Sequence, residues 1–315
     1  MVLLAVGVLA ATGCAAPEAP LPPAAEPARS PPPRRTPAGK VVPIGHKPEG
    51  LVVDEQTGIV AVGLTNPDRL ALVDARTLRV LRRVRLPESP RHLALAGPGG
   101  PVLVPAERAD SLLEVALPDG GLKATRVGDT PHDGDAAGGR LFVGDELGHT
   151  LSVIEGGRRI ARLPAPRQPG GVASSTDGRR IAVVGVKERA LELFDVRTLR
   201  SLGKAPVGIG PTHVIAEPGR FFVVDTRGDS LLEVRTDPLR IHRRRSLPGA
   251  PYGIATDAPR GRLWVTLTRS NLVARLPGGL RVPAVRQPNS VAVDERTGRV
   301  FVASRADGTL QAFDP

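Results

Sequence analysis

Aliphatic residues along this chain fall in short runs bounded by Pro, Gly, Asp or Asn, and the runs recur in a fixed order. A Pro followed two or three residues later by a short aliphatic strand occurs as PEGLVV at Pro48, PRHLAL at Pro90, PHDGDA at Pro131, PGGVAS at Pro169, PTHVIA at Pro211, PYGIAT at Pro251 and PNSVAV at Pro288. These anchors lie 42, 41, 38, 42, 40 and 37 residues apart. A turn follows, as in Asp54 to Gly58, Asp177-Gly178, Asp257 to Gly261 and Asp294 to Gly298. In such turns Asp bonds its own backbone and Gly accepts positive φ. A second strand comes next (IVAVGL, PVLVPA, RLFVGD, RIAVVG, RFFVVD, RLWVTL, RVFVAS), then a polar bend and a third (RLALVD, SLLEVA, TLSVIE, ALELFD, SLLEVR, NLVARL, TLQAFD). Several repeats pass through Asp-x-x-Thr, at Asp74 to Thr77 and Asp195 to Thr198, into a fourth, more basic strand.

Four short strands every forty residues or so is the pattern of a propeller blade. Seven anchors predict seven blades, and the last repeat ends at Pro315 after its third strand. The missing strand is expected at the other end. Ile44-Gly45-His46-Lys47-Pro48 matches the approaches Val127-Gly128-Asp129-Thr130-Pro131 and Val207-Gly208-Ile209-Gly210-Pro211. The predicted fold is therefore all-β, a seven-bladed β-propeller of four-stranded antiparallel blades over residues 41–315, closed by an N-terminal strand that completes the last blade.

The pattern Pro-x-Gly-aliphatic, Asp-x-x-x-Gly, a LYVA-like strand and an Asp-x-x-Thr turn resembles the YVTN family of seven-bladed propellers, often called YncE-like. Blade six, PYGIATDAPRGRLWVTLTRSNLVARL, is also similar to a blade of streptogramin B lyase. The first resemblance covers residues 41–315 and carries no enzyme-specific motif. The second implies a metal-assisted lyase or hydrolase.

Composition narrows the chemistry. Only 3% of the 315 residues are aromatic, which disfavours stacking platforms for single-stranded nucleic acid. Net charge is +11, and only Lys40, Lys47, Lys123, Lys187 and Lys204 among the 43 basic residues are Lys. Such charge speaks to encounter rather than specificity, and with no helix-turn-helix or zinc-finger pattern no specific nucleic-acid partner is expected. Arg82-Arg83 and Arg243-Arg244-Arg245 fall on fourth, outermost strands, where charge protects sheet edges.

Residues Val2 to Thr12 form an apolar run too short to span a bilayer, ending in Ala11-Thr12-Gly13-Cys14. Cys14 is the one cysteine, which excludes intrachain disulfides. Its setting resembles a bacterial lipobox, although Ala11 stands where Leu is usual and no basic residue precedes the run. Residues 1–14 are thus expected as a lipoprotein-type signal peptide, with lipidation at Cys14. This predicts export and a lipid anchor at the outer face of the bacterial cytoplasmic membrane or in the envelope. Residues 15–40 hold nine Pro and seven Ala with no apolar period, and are expected as a disordered, extended spacer.

In a propeller the first strand of each blade lines the central channel, so the two residues after each Pro should ring one mouth. They are Glu49, Arg91 with His92, His132 with Asp133, Gly170 with Gly171, Thr212 with His213, Tyr252, and Asn289 with Ser290. The blades bearing His92, His132 and His213 end their second strands at Glu107, Asp145 and Asp225, which gives each His a candidate acid. Imidazole beside a carboxylate composes either a divalent-metal shell on His92, His132 and His213 or an acid–base pair. It also composes ordinary blade-to-blade hydrogen bonding. His46, His149 and His242 are expected to be exposed and structural. No phosphate loop, nucleophile elbow or HExxH occurs, so no catalytic residue is assigned. The preferred reading is a non-catalytic, membrane-anchored scaffold that binds a protein, envelope component or small ligand at this mouth, as a monomer; the alternative is the metal-assisted lyase or hydrolase.

Overall fold

The computed structural model describes residues 24–315, so Cys14 and the expected signal peptide lie outside the described residues. Seven four-stranded antiparallel sheets follow the seven repeats. Blade one comprises Pro48–Asp54, Ile59–Leu64, Arg69–Asp74 and Val80–Arg85, from the channel outward. Three single turns of 3-10 helix are the helical segments among the described residues. The outer bends are held as the repeated Asp and Thr require. Asp74 accepts from the Thr77 N–H and hydroxyl at 2.6 and 2.7 Å, and Asp195 does the same with Thr198 at 2.6 and 2.7 Å.

The last blade reads Lys40–Pro43, Thr309–Phe313, Arg299–Ser304 and Pro288–Asp294 from outside in. Lys40 faces Ala312, Val41 faces Gln311, Val42 faces Leu310 and Pro43 faces Thr309. The first strand of the described residues thus completes the final sheet, as the expected ring closure demands. No blade has a core of its own, because apolar side chains pack between neighbouring sheets. The closing layer joins blades one and seven through Val60, Val62, Phe301, Leu310 and Ile44. The layer before it packs Trp264 edge-on to Phe313, 5.7 Å between ring centres.

Two regions depart from expectation. The first strand of blade two shrinks to Ala94–Leu95, with one isolated bridge from Pro90 to Ala106. Its turn is Gly97-Pro98-Gly99-Gly100-Pro101, where Gly99 and Gly100 take φ of 83° and 90° in place of the Asp-to-Gly turn of blades one, four, six and seven. The other departure corrects the spacer. Residues 24–39 do not stand free of the domain but lie along the propeller: Ala25 and Ser30 are buried. Gln311 Nε2 donates to the Ala38 carbonyl at 2.8 Å, Arg286 Nε to that of Ser30 at 3.3 Å, Asn271 Nδ2 to that of Pro31 at 2.8 Å and a terminal Arg227 nitrogen to that of Ala24 at 2.9 Å. A Pro-rich strap lacks N–H groups but keeps its carbonyls, and the propeller supplies donors to them.

The pairing in the last blade predicts that deleting residues 1–43 leaves Thr309–Phe313 as an open edge. Thermal melting and size-exclusion chromatography should show a lower midpoint and self-association, whereas deletion of residues 1–39 should leave the protein monomeric.

Candidate functional site

One register builds the mouth. In all seven blades the anchor Pro faces the last residue of the second strand: Pro48 with Leu64, Pro90 with Ala106, Pro131 with Asp145, Pro169 with Gly185, Pro211 with Asp225, Pro251 with Leu267 and Pro288 with Ser304. A β-bulge follows the anchor in six blades, taking the next residue out of the ladder and letting it meet the residue after the second strand at the mouth. Arg91 Nε lies 3.2 Å from Glu107 Oε1, and Thr212 Oγ1 lies 2.8 Å from Thr226 Oγ1. His132 Nδ1 donates to Glu146 Oε2 at 2.7 Å. Glu49 instead reaches sideways to Arg305 of blade seven.

This register corrects the acid partners expected from the sequence. Asp145 is fully buried and accepts from Gly128 N–H, Thr150 Oγ1 and Ser152 Oγ at 2.9, 2.6 and 2.8 Å. Asp225 likewise accepts from Gly210 N–H at 2.8 Å and Arg244 at 3.1 Å. Both carboxylates fix the approach to the anchor Pro of their own blade and neither serves a His. Glu107 pairs with Arg91 rather than with His92. Glu146, one residue past the assigned position, is the acid that meets a His; its place one step beyond the strand end was the available signal.

His92, His132 and His213 do come together. Ring centres are 4.8 Å apart for His92 and His132 and 4.4 Å for His92 and His213, and His213 stands edge-on to Tyr252 at 4.5 Å. His213 Nε2 and His92 Nδ1 share a hydrogen bond of 3.2 Å. Burial, then neighbouring His132 and Arg91, holds His213 down at about 3, and burial with His213 and His132 holds His92 well below the usual imidazole range. Burial also raises the Tyr252 hydroxyl. For Glu146 burial opposes ionisation, but the His132 hydrogen bond and charge, Gln168 and Arg91 outweigh it and hold the carboxyl at about 2.

A divalent ion would compete with Arg91 for this cluster. Glu107, His132 and Glu146 offer ligand atoms within 4.8 Å of one another. Arg91 stands among them, with a terminal nitrogen 3.4 Å from His132 Nδ1, and already supplies the positive charge. His92 and His213 spend one ring nitrogen each on the other.

The mouth is covered. Ala24, Ala25 and Glu26 of the strap lie over Arg91, His92, His132, Glu146, His213 and Tyr252, leaving about 20 Å³ beneath them. Behind this floor the channel encloses about 550 Å³ and extends to Thr176 and Gly178 in a turn at the opposite end. Asp133 and Asn289, both expected at the mouth, line this channel with His92 and His213. Asp133 accepts the N–H of Gly134 at 2.9 Å and, from the next blade, that of Val172 at 2.9 Å. Burial pushes it up to about 7 against those bonds, with Asp135 adding to the rise.

These features define a seven-bladed β-propeller with a polar, strap-covered floor to its channel. No protein-family profile matches the chain, and no curated protein does. Among solved structures, hydrazine synthase of Kuenenia stuttgartiensis is 16% identical, with TM-score 0.74 over 85% of this chain and 96% of that one. Virginiamycin B lyase from Staphylococcus aureus is 14% identical, TM-score 0.73, covering 86% and 97%. A chain of the mitotic checkpoint complex is 13% identical, TM-score 0.76, covering 99% of both. Identities this low establish a shared fold and nothing finer.

The two buried imidazoles predict a pH dependence. Unfolded, each protonates near 6.5, while the folded state resists it, so their contribution is complete above that pH and is lost as pH falls below it, through about 3 for His213. Asp133 acts oppositely: its raised value favours the fold at low pH and the benefit is lost as pH rises through 7. His213→Phe, which keeps a ring against Tyr252, should make the fall in stability between pH 6.5 and 3, followed by urea unfolding, shallower by a slope worth up to one proton.

Proposed function

We propose that this protein is an exported binding propeller, anchored to the outer face of a bacterial membrane by a lipid on Cys14, that takes a small ligand in its central channel. One observation carries the reading: the channel is a cup of about 550 Å³ whose floor is made by residues that differ from blade to blade. That volume lies within the range of about 300–1,000 Å³ typical of small-molecule sites. The mouth itself, expected to be an open docking face, is occupied by the chain's own strap, so the same residues serve from the inside. Glu49, Arg91, Glu107 and His132 hold the floor rigid by pairing, whereas His92, His213, Asp133 and Asn289 line the lumen. Propeller neighbours range from a lyase to a chain of a multiprotein complex. The Arg91-filled acid cluster favours binding over metal-assisted chemistry here.

Two measurements test this. Cys14→Ser should move the protein from the membrane to the soluble fraction while its melting point stays put; unchanged fractionation removes the anchor. Thr176→Trp, at an exposed position on the far rim, should weaken by tenfold or more any ligand found by saturation-transfer NMR with a mixed panel of cationic, anionic and neutral small molecules. Ligands indifferent to Thr176→Trp place the site elsewhere.

A further inference from the structure

Resting on the channel reading above, we propose that the ligand is a small organic ammonium compound with a short apolar body, its charged nitrogen held against Asp133 and Asp135. The chain carries net charge +11, yet no Lys or Arg is among the described residues lining the channel, and its two carboxylates come from one strand, Pro131–Ala137 of blade three. Two residues apart on a strand, they face the same side. Each of their four oxygens is fixed by a neutral donor. Asp133 accepts Gly134 and Val172 N–H at 2.9 Å each; Asp135 accepts Ala136 N–H at 2.8 Å and Ser174 N–H and Oγ at 2.7 and 2.8 Å. A carboxylate oxygen has two lone pairs, so this anchoring orients the acids and leaves them capacity for a further donor. Neutral dipoles hold the pair in place, and a cation would complement its charge.

A separate, independent observation comes from blade seven. Asn289 is 2% exposed, lines the same channel, and neither its Oδ1 nor its Nδ2 has a hydrogen-bond partner. Leaving a buried polar group unmet is unfavourable, and this side chain would leave two unmet without a ligand. The intervening wall is largely apolar, with Leu93, Val172, Val214, Ile254 and Val291. Such a wall receives an alkyl chain and offers nothing to the six or more oxygen contacts that calcium or magnesium requires. An ammonium group satisfies the acids with its three donors, and a hydroxyl, amide or second amine satisfies Asn289.

The test is an isosteric series on the full chain: hexane-1,6-diamine, hexane-1,6-diol and adipate by isothermal titration calorimetry, with Ca²⁺ and Mg²⁺ as competitors. The diamine should bind at least tenfold more tightly than the diol, and adipate should show no heat. Asp133→Asn and Asp135→Asn should abolish binding; since both also lose blade-to-blade bonds, Asn289→Ala serves as the conservative variant and should weaken the diamine severalfold without lowering the melting point. Diol or adipate binding as tightly as the diamine, still blocked by Thr176→Trp, overturns the ammonium class and leaves the channel reading standing. Displacement of the diamine by stoichiometric Ca²⁺ or Mg²⁺ overturns it in favour of a metal. No binding by any of the three, together with panel ligands indifferent to Thr176→Trp, overturns both readings.

Discussion

Each anchor Pro sits opposite the last residue of the following strand, and this pairing recurs in every blade. Because side chains alternate along a strand, the register decides at a stroke what each neighbouring position meets. In blades two, three and five the residue directly after Pro packs into the mouth against the residue after the second strand. The position beyond it faces the lumen, where His92, Asp133 and His213 are found with Gly50, Gly253 and Ser290. A slip of one residue in any blade would exchange floor for lumen. The register is itself secured by carboxylates behind it: Asp145 and Asp225 tie the approach to Pro131 and Pro211 through backbone N–H groups of Gly128 and Gly210. A Cβ added at Gly128 would lie 2.2 Å from the Asp145 carboxylate, and one added at Gly208 would lie 2.5 Å from that of Asp225. Each approach and its clamp are therefore specified together.

The repeat, its seven-fold count and the closing strand were legible because Pro-led aliphatic runs, turn chemistry and the interrupted last repeat are all local signals. The three histidines were legible as a set for the same reason, since equal position in equal repeats implies convergence on the axis. Their chemistry was not. The strand end and the residue beyond it look alike in one dimension, and Asp145 drew the assignment that belongs to Glu146. Which of them meets His132 depends on the pairing with Pro131, a contact across a hairpin. Residues 24–39 were illegible for another reason. Their fixation comes from side-chain donors of blades five to seven reaching backbone carbonyls, and a Pro- and Ala-rich strap carries no periodic trace of that.

Charge is partitioned by the same architecture. Outer strands carry Arg82, Arg83 and Arg243 in exposed positions, where they guard edges and stay solvated. Arg91, at the mouth, is neutralised by Glu107 and bordered by His132. Depressed His92 and His213 remain neutral, so the floor adds no positive charge to the lumen at neutral pH. What the channel retains is the acidic wall of blade three, sheltered from bulk solvent in a protein that is otherwise basic. The low dielectric that makes such a wall costly also makes it discriminating toward a cation.

The strap would give the anchored protein an orientation. Spacer length counted from residue 15 to 40 would place the domain several tens of ångströms away with its faces free to tumble. With Ala24 already docked over the mouth, only the ten steps from Cys14 remain, and a fully extended chain covers at most about 36 Å in that distance. A lipid on Cys14 would therefore hold the covered mouth toward the membrane. The far rim at Thr176 and Gly178 would then point away from it, toward the medium. So placed, the strap closes the end of the channel that faces the bilayer and leaves open the end from which a dissolved ligand arrives.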